Sequence, residues 1–278
     1  MPYSEGIGFI ENVTDENSLG LMQHTVAHEI AHQWWAHQVV PGYAAGASFV
    51  TETLAQYSAS CILEKLEGEK KNLAFVLHDR SSYMTNRGRL SEPENALVFV
   101  EDQPNVYYNK GTQVMHALKK LIREDSLNHA IKRFFADNAY QLAPYTTGRE
   151  LLGYLRVVAP DSLRYFITDQ FELITFHDNA VKGAQIKLSR GMFEVSIDLQ
   201  CRKYRVDGKG FENEIPINDY VEVTAFYDGD KSVTKTVKAS SESMKVSFLV
   251  PGKPTRVVVD PNNLMMDRFQ ANNVFNIP

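Results

Sequence analysis

The sequence predicts an α+β protein in two parts: a mainly α-helical domain over 1–178, then a small antiparallel β-sandwich over 183–268, with 269–278 as a tail. Three observations carry this. Apolar residues recur at helical spacing through the first part. Near Phe176 the period changes from helical to alternating. The last part then carries short strands separated by turn signals such as Asp228-Gly229. A chain of 278 residues has length for two domains.

In chain order, residues 1–16 read as strand and turn. Ser18 is placed to cap a helix over 18–37, and Pro41-Gly42 breaks the pattern after it. A second helix spans 48–67 and is stopped by Gly68. A third spans 70–86. Residues 88–109 read as a polar loop holding one apolar run, Ala96 to Val100. Further helices fall near 110–124, 126–139, 148–158 and 161–174. Thr147-Gly148-Arg149-Glu150 has the form of a capping box for the third of these. In the β part, Phe193, Val195, Ile197 and Leu199 alternate with Glu194, Ser196, Asp198 and Gln200. Residues 221–224, 233–237, 246–248 and 257–259 continue the habit.

The net charge is −5 with both signs interspersed, and no basic stripe suggests a nucleic-acid partner. Cys61 and Cys201 lie in different predicted domains and read as free thiols. There is no apolar run near the length of a membrane span and no secretory signal.

The chemistry is concentrated in His28-Glu29-Ile30-Ala31-His32. Four residues of α-helix bring a side chain back to the same face one turn on, so the two histidines can share one zinc ion. Glu29 then sits where a general base belongs. A catalytic zinc needs a third protein ligand and an open fourth position. Glu52, separated from His32 by nineteen residues, is the candidate. The flanking Val26, Ala27, Ile30, Ala31, Trp34 and Trp35 make the helix apolar nearly all round, which predicts a buried helix. Buried histidine and glutamate need partners, and a metal supplies them. His24 is one turn before His28, but positions i and i+8 of a helix lie about 12 Å apart and cannot converge on one ion. It reads as a packing residue or one behind the ligands, and His37 as lying near the helix end.

The stretch His28 to Trp35, then Glu52, then Tyr107-Tyr108-Asn109-Lys110-Gly111, resembles the aminopeptidase N family of zinc metallopeptidases. The resemblance covers about residues 3 to 175. It implies a thermolysin-like catalytic subdomain with a small β-sandwich after it. It also implies one zinc ion held by His28, His32 and Glu52, with Glu29 as the base and Tyr108 as donor to the tetrahedral intermediate. Upstream, Tyr3 to Ile10 resembles the family's substrate-lining strand, which makes Glu5 the candidate to bind the substrate's free α-amine. The chain departs from the pattern twice. The family has eighteen residues before its glutamate ligand, not nineteen. It also carries an acid seven residues after that glutamate, where this chain has Ala59. Ser58 or Ser60 are the possible substitutes, and weaker zinc binding is expected.

The function expected is hydrolysis of N-terminal residues from peptides by a zinc-dependent aminopeptidase. The alternative is a peptidase-like domain of a larger membrane protein, serving interaction or substrate capture with little turnover. The stretches 37–41 and 46–52 are similar to bacterial peptidase domains fused to ABC-transporter-type membrane regions. On that resemblance the protein is bacterial and tethered to a membrane by a segment upstream of Met1, and a chain that opens beside Glu5 lacks cleft walls and is weakly active alone. A third possibility is a zinc hydrolase of non-peptide substrates. Arg80, Arg87 and Arg89 read as solvated surface, with one able to reach a substrate carboxylate.

Overall fold

The computed structural model describes Glu5, Thr14, residues 16–89 and residues 91–278. The chain divides into two compact units, Met1–Ile174 with Gly208–Gly210, and Thr175–Asp207 with Phe211–Pro278. The strand expected over 1–16 lies outside the described residues except at Glu5, which is exposed with helical backbone, and Thr14, which is in a turn.

The first unit is helical. Helix α1 spans Glu16–Ala31. A π-helical turn, Phe49–Thr53, runs into α2, Leu54–Glu67. Gly68, at φ 90°, joins α2 to α3, Glu69–Asn86. A second π-helical turn, Asn105–Lys110, runs into α4, Gly111–Ile122. Then come α5 (Glu124–Asn138), α6 (Gly148–Val158) and the short α7 (Arg164–Ile167). Thr147 caps α6 as the sequence predicts, accepting from the Glu150 amide at 3.3 Å, while the Glu150 carboxylate takes the Thr146 hydroxyl.

Two expectations for α1 change. The helix ends at Ala31 rather than 37, and Ser18 lies inside it. Beyond Ala31 the backbone tightens, with Gln33 N bonding Ile30 O and Trp34 N bonding Ala31 O, and Ala36 takes φ 111°. Nor is the helix buried all round. His24, Ala27, His28 and Ala31 are covered, whereas Ile30 and Trp34 are more than 40% exposed. Only the face turned towards α2 needs cover, and that face holds the histidines.

Helix α4 is the core of this unit. Val114, Met115, Ala117 and Leu118 are buried on it, each worth about 1.5–3 kcal/mol for a large side chain. Lys119 donates to Glu64 of α2 at 2.6 Å, and Asn72 of α3 donates to the same carboxylate at 2.7 Å, so three helices are tied at one acid.

The second unit holds two four-stranded sheets. The first contains β1 (Ile174–Ser189), β2 (Met192–Val206) and β3 (Glu212–Ile215), with β6 (Ser243–Val250) paired to β2. The second has the order β5-β4-β7-β8, formed by Lys231–Ala239, Asp219–Tyr227, Pro254–Val259 and Val274–Asn276. Val195, Ile197 and Leu199 are buried and their alternating neighbours are not, as the period predicts. Two boundaries differ from expectation. Strand β1 starts at Ile174, because its first residues are buried on both faces and show no alternation. The expected tail contains β8, with Phe275 opposite Val257. Asp228 and Gly229 both have positive φ, which is the hairpin geometry their pairing signals. Cys61 and Cys201 are free. Among the described residues no helix is long and apolar enough to cross a membrane.

Burial, and the nearby Lys119 and Lys120, push His116 of α4 down to about 4. A histidine kept neutral in the fold but free to protonate when unfolded stabilises the fold only above its unfolded value near 6.5. That stability is lost as pH falls from there towards 4. Substitution His116→Leu should therefore flatten the acid limb of the stability curve, by on the order of 2–3 kcal/mol at pH 4, as read from urea melts at pH 7.5, 5.5 and 4.

Candidate metal centre

His28 lies on the last turn of α1, and His32 is the first residue beyond it. His32 Nδ1 is 2.9 Å from the carbonyl of Trp35. A carbonyl only accepts, so Nδ1 carries a proton, and Nε2 is the nitrogen turned towards His28 and Glu52. Glu52 comes from the π-helical turn ahead of α2. A π turn takes up one residue more than an α turn, so the longer gap before Glu52 still leaves its carboxylate facing α1.

The three side chains converge. His28 Nε2 and His32 Nε2 are 3.1 Å apart, and Glu52 Oε2 lies 3.4 and 3.5 Å from them. Ligands about 2.0–2.1 Å from a tetrahedral zinc are separated by roughly 3.3 Å, so this spacing fits such an ion. Among the described residues this is the one group of three or more histidines, cysteines or acids with metal-binding spacing. The electrostatics agree with it. Burial works against the Glu52 charge, but hydrogen bonds from His28, His32 and Tyr108 outweigh it and hold the carboxyl far below the usual range. The Glu52 hydrogen bond in turn raises His32. The cluster draws positive charge to its centre.

Tyr108 is carried by the second π turn, and its hydroxyl donates to Glu52 Oε2 at 2.8 Å. Burial and that contact raise its phenol well above the ordinary value, so it remains a proton donor. Tyr107 stacks edge-on against Tyr108 at 4.5 Å and makes no such contact. Glu29 is half-buried and lines a cavity of about 690 Å³ together with His28 and Tyr108.

The two π turns are locked together. Thr53 donates to the carbonyl of Tyr107 at 2.7 Å. A Cβ on Gly111 would stand 2.8 Å from Thr53 Cγ2 and Oγ1, closer than real contacts allow. Gly111 is therefore the residue that lets Tyr108 come down onto Glu52. Behind it, Lys110 is fully buried, 3.6 Å from Glu94 Oε1, and Tyr83 and Arg87 bind the same carboxylate at 2.6 and 3.2 Å. Gly46, at φ 89°, allows the approach of the Val98 carbonyl just ahead of the Glu52 turn.

The remaining expectations divide. His24 is buried and stacked on Phe75 at 3.9 Å, outside the ligand cluster, and His37 is exposed. Ala59 is fully buried, and neither neighbouring serine replaces the missing acid. Ser58 bonds Leu54 and Trp35, and Ser60 bonds Asn72. His28 Nδ1 is buried with no hydrogen-bond partner among the described residues. Arg80 is 5% exposed rather than solvated, because α3 turns it inward, and Arg87 is half-buried on Glu94. Arg89 is exposed. Glu94, Asp79 and Thr53 carry structural weight that the sequence did not signal, since each acts through a partner distant in the chain.

A helix-borne His-Glu-x-x-His answered by a glutamate from a second helix defines a peptidase-type centre. Residues 9–167 match the model of the peptidase family M1 domain, which is more than half of the chain, and the chain belongs to that family. Peptidases of this family are generally zinc-dependent. Among solved structures, the fold is similar to the crystal structure of Legionella pneumophila aminopeptidase A in complex with aspartic acid. The TM-score is 0.55 at 14% identity, over 88% of this chain and 26% of that one. This chain thus spans about a quarter of that structure's length. No curated protein matches.

Overpacking a filled contact costs about 1–3 kcal/mol. The variant Gly111→Ala should lose that much in a denaturant melt, and adding Thr53→Ala should recover part of it. An additive pair of losses would mean that the two positions do not press on each other.

Proposed function

We propose that this protein is a zinc-dependent aminopeptidase. The observation that carries the reading is the convergence of His28 Nε2, His32 Nε2 and Glu52 Oε2 within 3.5 Å of one another, beside Glu29 and Tyr108. A zinc ion there would acidify a water molecule and polarise the carbonyl of the first peptide bond. Glu29 accepts the proton of that water as it attacks the carbonyl carbon. It then returns the proton to the amine that leaves. The Tyr108 hydroxyl donates to the oxygen on which negative charge develops. To do so the hydroxyl leaves Glu52, whose charge would be balanced by a cation held by His28, His32 and Glu52.

Two features support the amino-terminal preference. The segment around Glu5 resembles the strand whose glutamate binds a free α-amine, and Glu5 is given that role here. The similar Legionella structure is described as an aminopeptidase. The substrate is a peptide.

Metal analysis and hydrolysis of aminoacyl arylamides test the reading. About one zinc per chain is expected, and His28→Ala and Glu52→Ala should lose it. Equal metal in all three proteins would sink the ligand set. Glu29→Gln should keep the metal and lose about 10²–10⁴-fold in kcat. Tyr108→Phe should lose about 10²–10³-fold, and Tyr107→Phe far less. N-acetylated substrates should be inert, and Glu5→Gln should raise KM for free-amine substrates. Zinc bound at full occupancy with no turnover on any peptide would favour a capture role instead.

A further inference from the structure

The cavity beside Glu29 has an end that the proposed chemistry does not use. Its walls are apolar, formed by Leu21, Leu63, Ala74 and Phe75. Among the polar side chains that line it, with Thr25, Gln56, Lys71 and His78, are His24 of α1 and Asp79 of α3, which are 4% and 5% exposed. Each is buried with one atom that has no hydrogen-bond partner among the described residues, Nε2 of His24 and Oδ2 of Asp79.

Asp79 is the more telling. Its Oδ1 accepts from Asn109 at 3.1 Å. Thr112 is close, but that hydroxyl has one proton and gives it to the Tyr108 carbonyl at 2.8 Å. His78 Nδ1 is 3.7 Å from Oδ1, on a side chain that is 76% exposed. Lys71 at the rim is paired with Glu67 at 2.8 Å. Burial pushes the Asp79 carboxyl up to about 6, as expected of an acid short of counter-charge. His24 is pushed down to about 3 by burial, so it is neutral and does not repel a cation.

We infer that this cavity is a side-chain pocket for a basic residue of the peptide next to the bond that is cut, with Asp79 as the specificity-determining group. The apolar walls take the methylene stem of arginine or lysine. The charged end supplies the donor that Oδ2 lacks together with the missing counter-charge. A guanidinium, with five N–H groups, has donors to spare for His24 Nε2. A tyrosine would supply a donor without charge, and a leucine neither.

This inference rests on the proposed peptidase reading, so its test is a binding measurement independent of turnover. Calorimetry on the protein as purified compares argininamide, lysinamide, tyrosinamide, leucinamide and dipeptides carrying arginine in the first or second position. The basic ligands should bind about tenfold more tightly than leucinamide, the scale of one hydrogen bond to a charged group. Asp79→Asn, which keeps an acceptor for Asn109, should erase that preference, so that the basic ligands bind no more tightly than leucinamide. Equal binding of leucinamide or tyrosinamide by the unaltered protein would overturn the inference, with no variant required. So would a basic preference that survives Asp79→Asn in a protein of unchanged melting temperature. Basic preference in binding without hydrolysis of any peptide by the zinc-loaded protein would leave the pocket standing and remove the peptidase reading.

Discussion

The contact of Thr53 against Gly111 is the constraint on which the rest of the site depends. Thr53 comes directly after Glu52, and Gly111 opens the helix that succeeds the Tyr108 turn. Where the two press together, the carboxylate and the phenol meet at 2.8 Å. Neither functional residue could hold this arrangement by its own local geometry. Each sits on a π-helical turn, a conformation with poorer hydrogen bonding than the α-helix, which persists only when packing fixes it. The buried Thr53 hydroxyl on the Tyr107 carbonyl and the missing Cβ at Gly111 supply that fixation.

The electrostatics obey the same plan. A helical core of this size has little reason to bury Lys110 and Glu94, since a buried ion pair is seldom more stable than well-packed apolar residues. Placed directly behind the Tyr108 turn, the pair ties that turn to α3 through Tyr83 and Arg87. One helical turn earlier on α3, Asp79 accepts from Asn109 and holds the turn to the same helix. Tyr107, Asn109 and Lys110 each have a separate anchor around Tyr108. The clustered histidines show a contrasting economy. His32 has its tautomer set by the Trp35 carbonyl, while His28, with Ala59 where the family has an acid, has nothing on its outer nitrogen among the described residues.

Legibility in the sequence divides along physical lines. The cluster of His28, His32 and Glu52 was legible because a metal-type motif sets fixed residue types at fixed helical spacing. The helix periods of α2 and α3, the stop at Gly68 and the cap at Thr147 were legible because they are local. Tyr108 was legible only through resemblance, since nothing in a polar stretch before α4 announces a π turn. The end of α1 was misjudged because Trp34 and Trp35 extend an apolar pattern past Ala31, where the backbone has already turned away from the helix. Strand β1 began earlier than expected because burial on both faces erases alternation. Glu94 and Asp79 were invisible, being ordinary surface-type acids in sequence whose burial depends on partners that only the fold supplies.

The two π turns also fix how this chain can change length. A residue added to or taken from a surface loop shifts only that loop. Removing one residue from 49–53 or from 105–110 would relax the turn to an α-helix and rotate the residues before it by about 100° relative to the helix after it. Glu52 or Tyr108 would then point away from α1 with no change in its own identity. Within those two short segments the reading frame of the helix is itself part of the site.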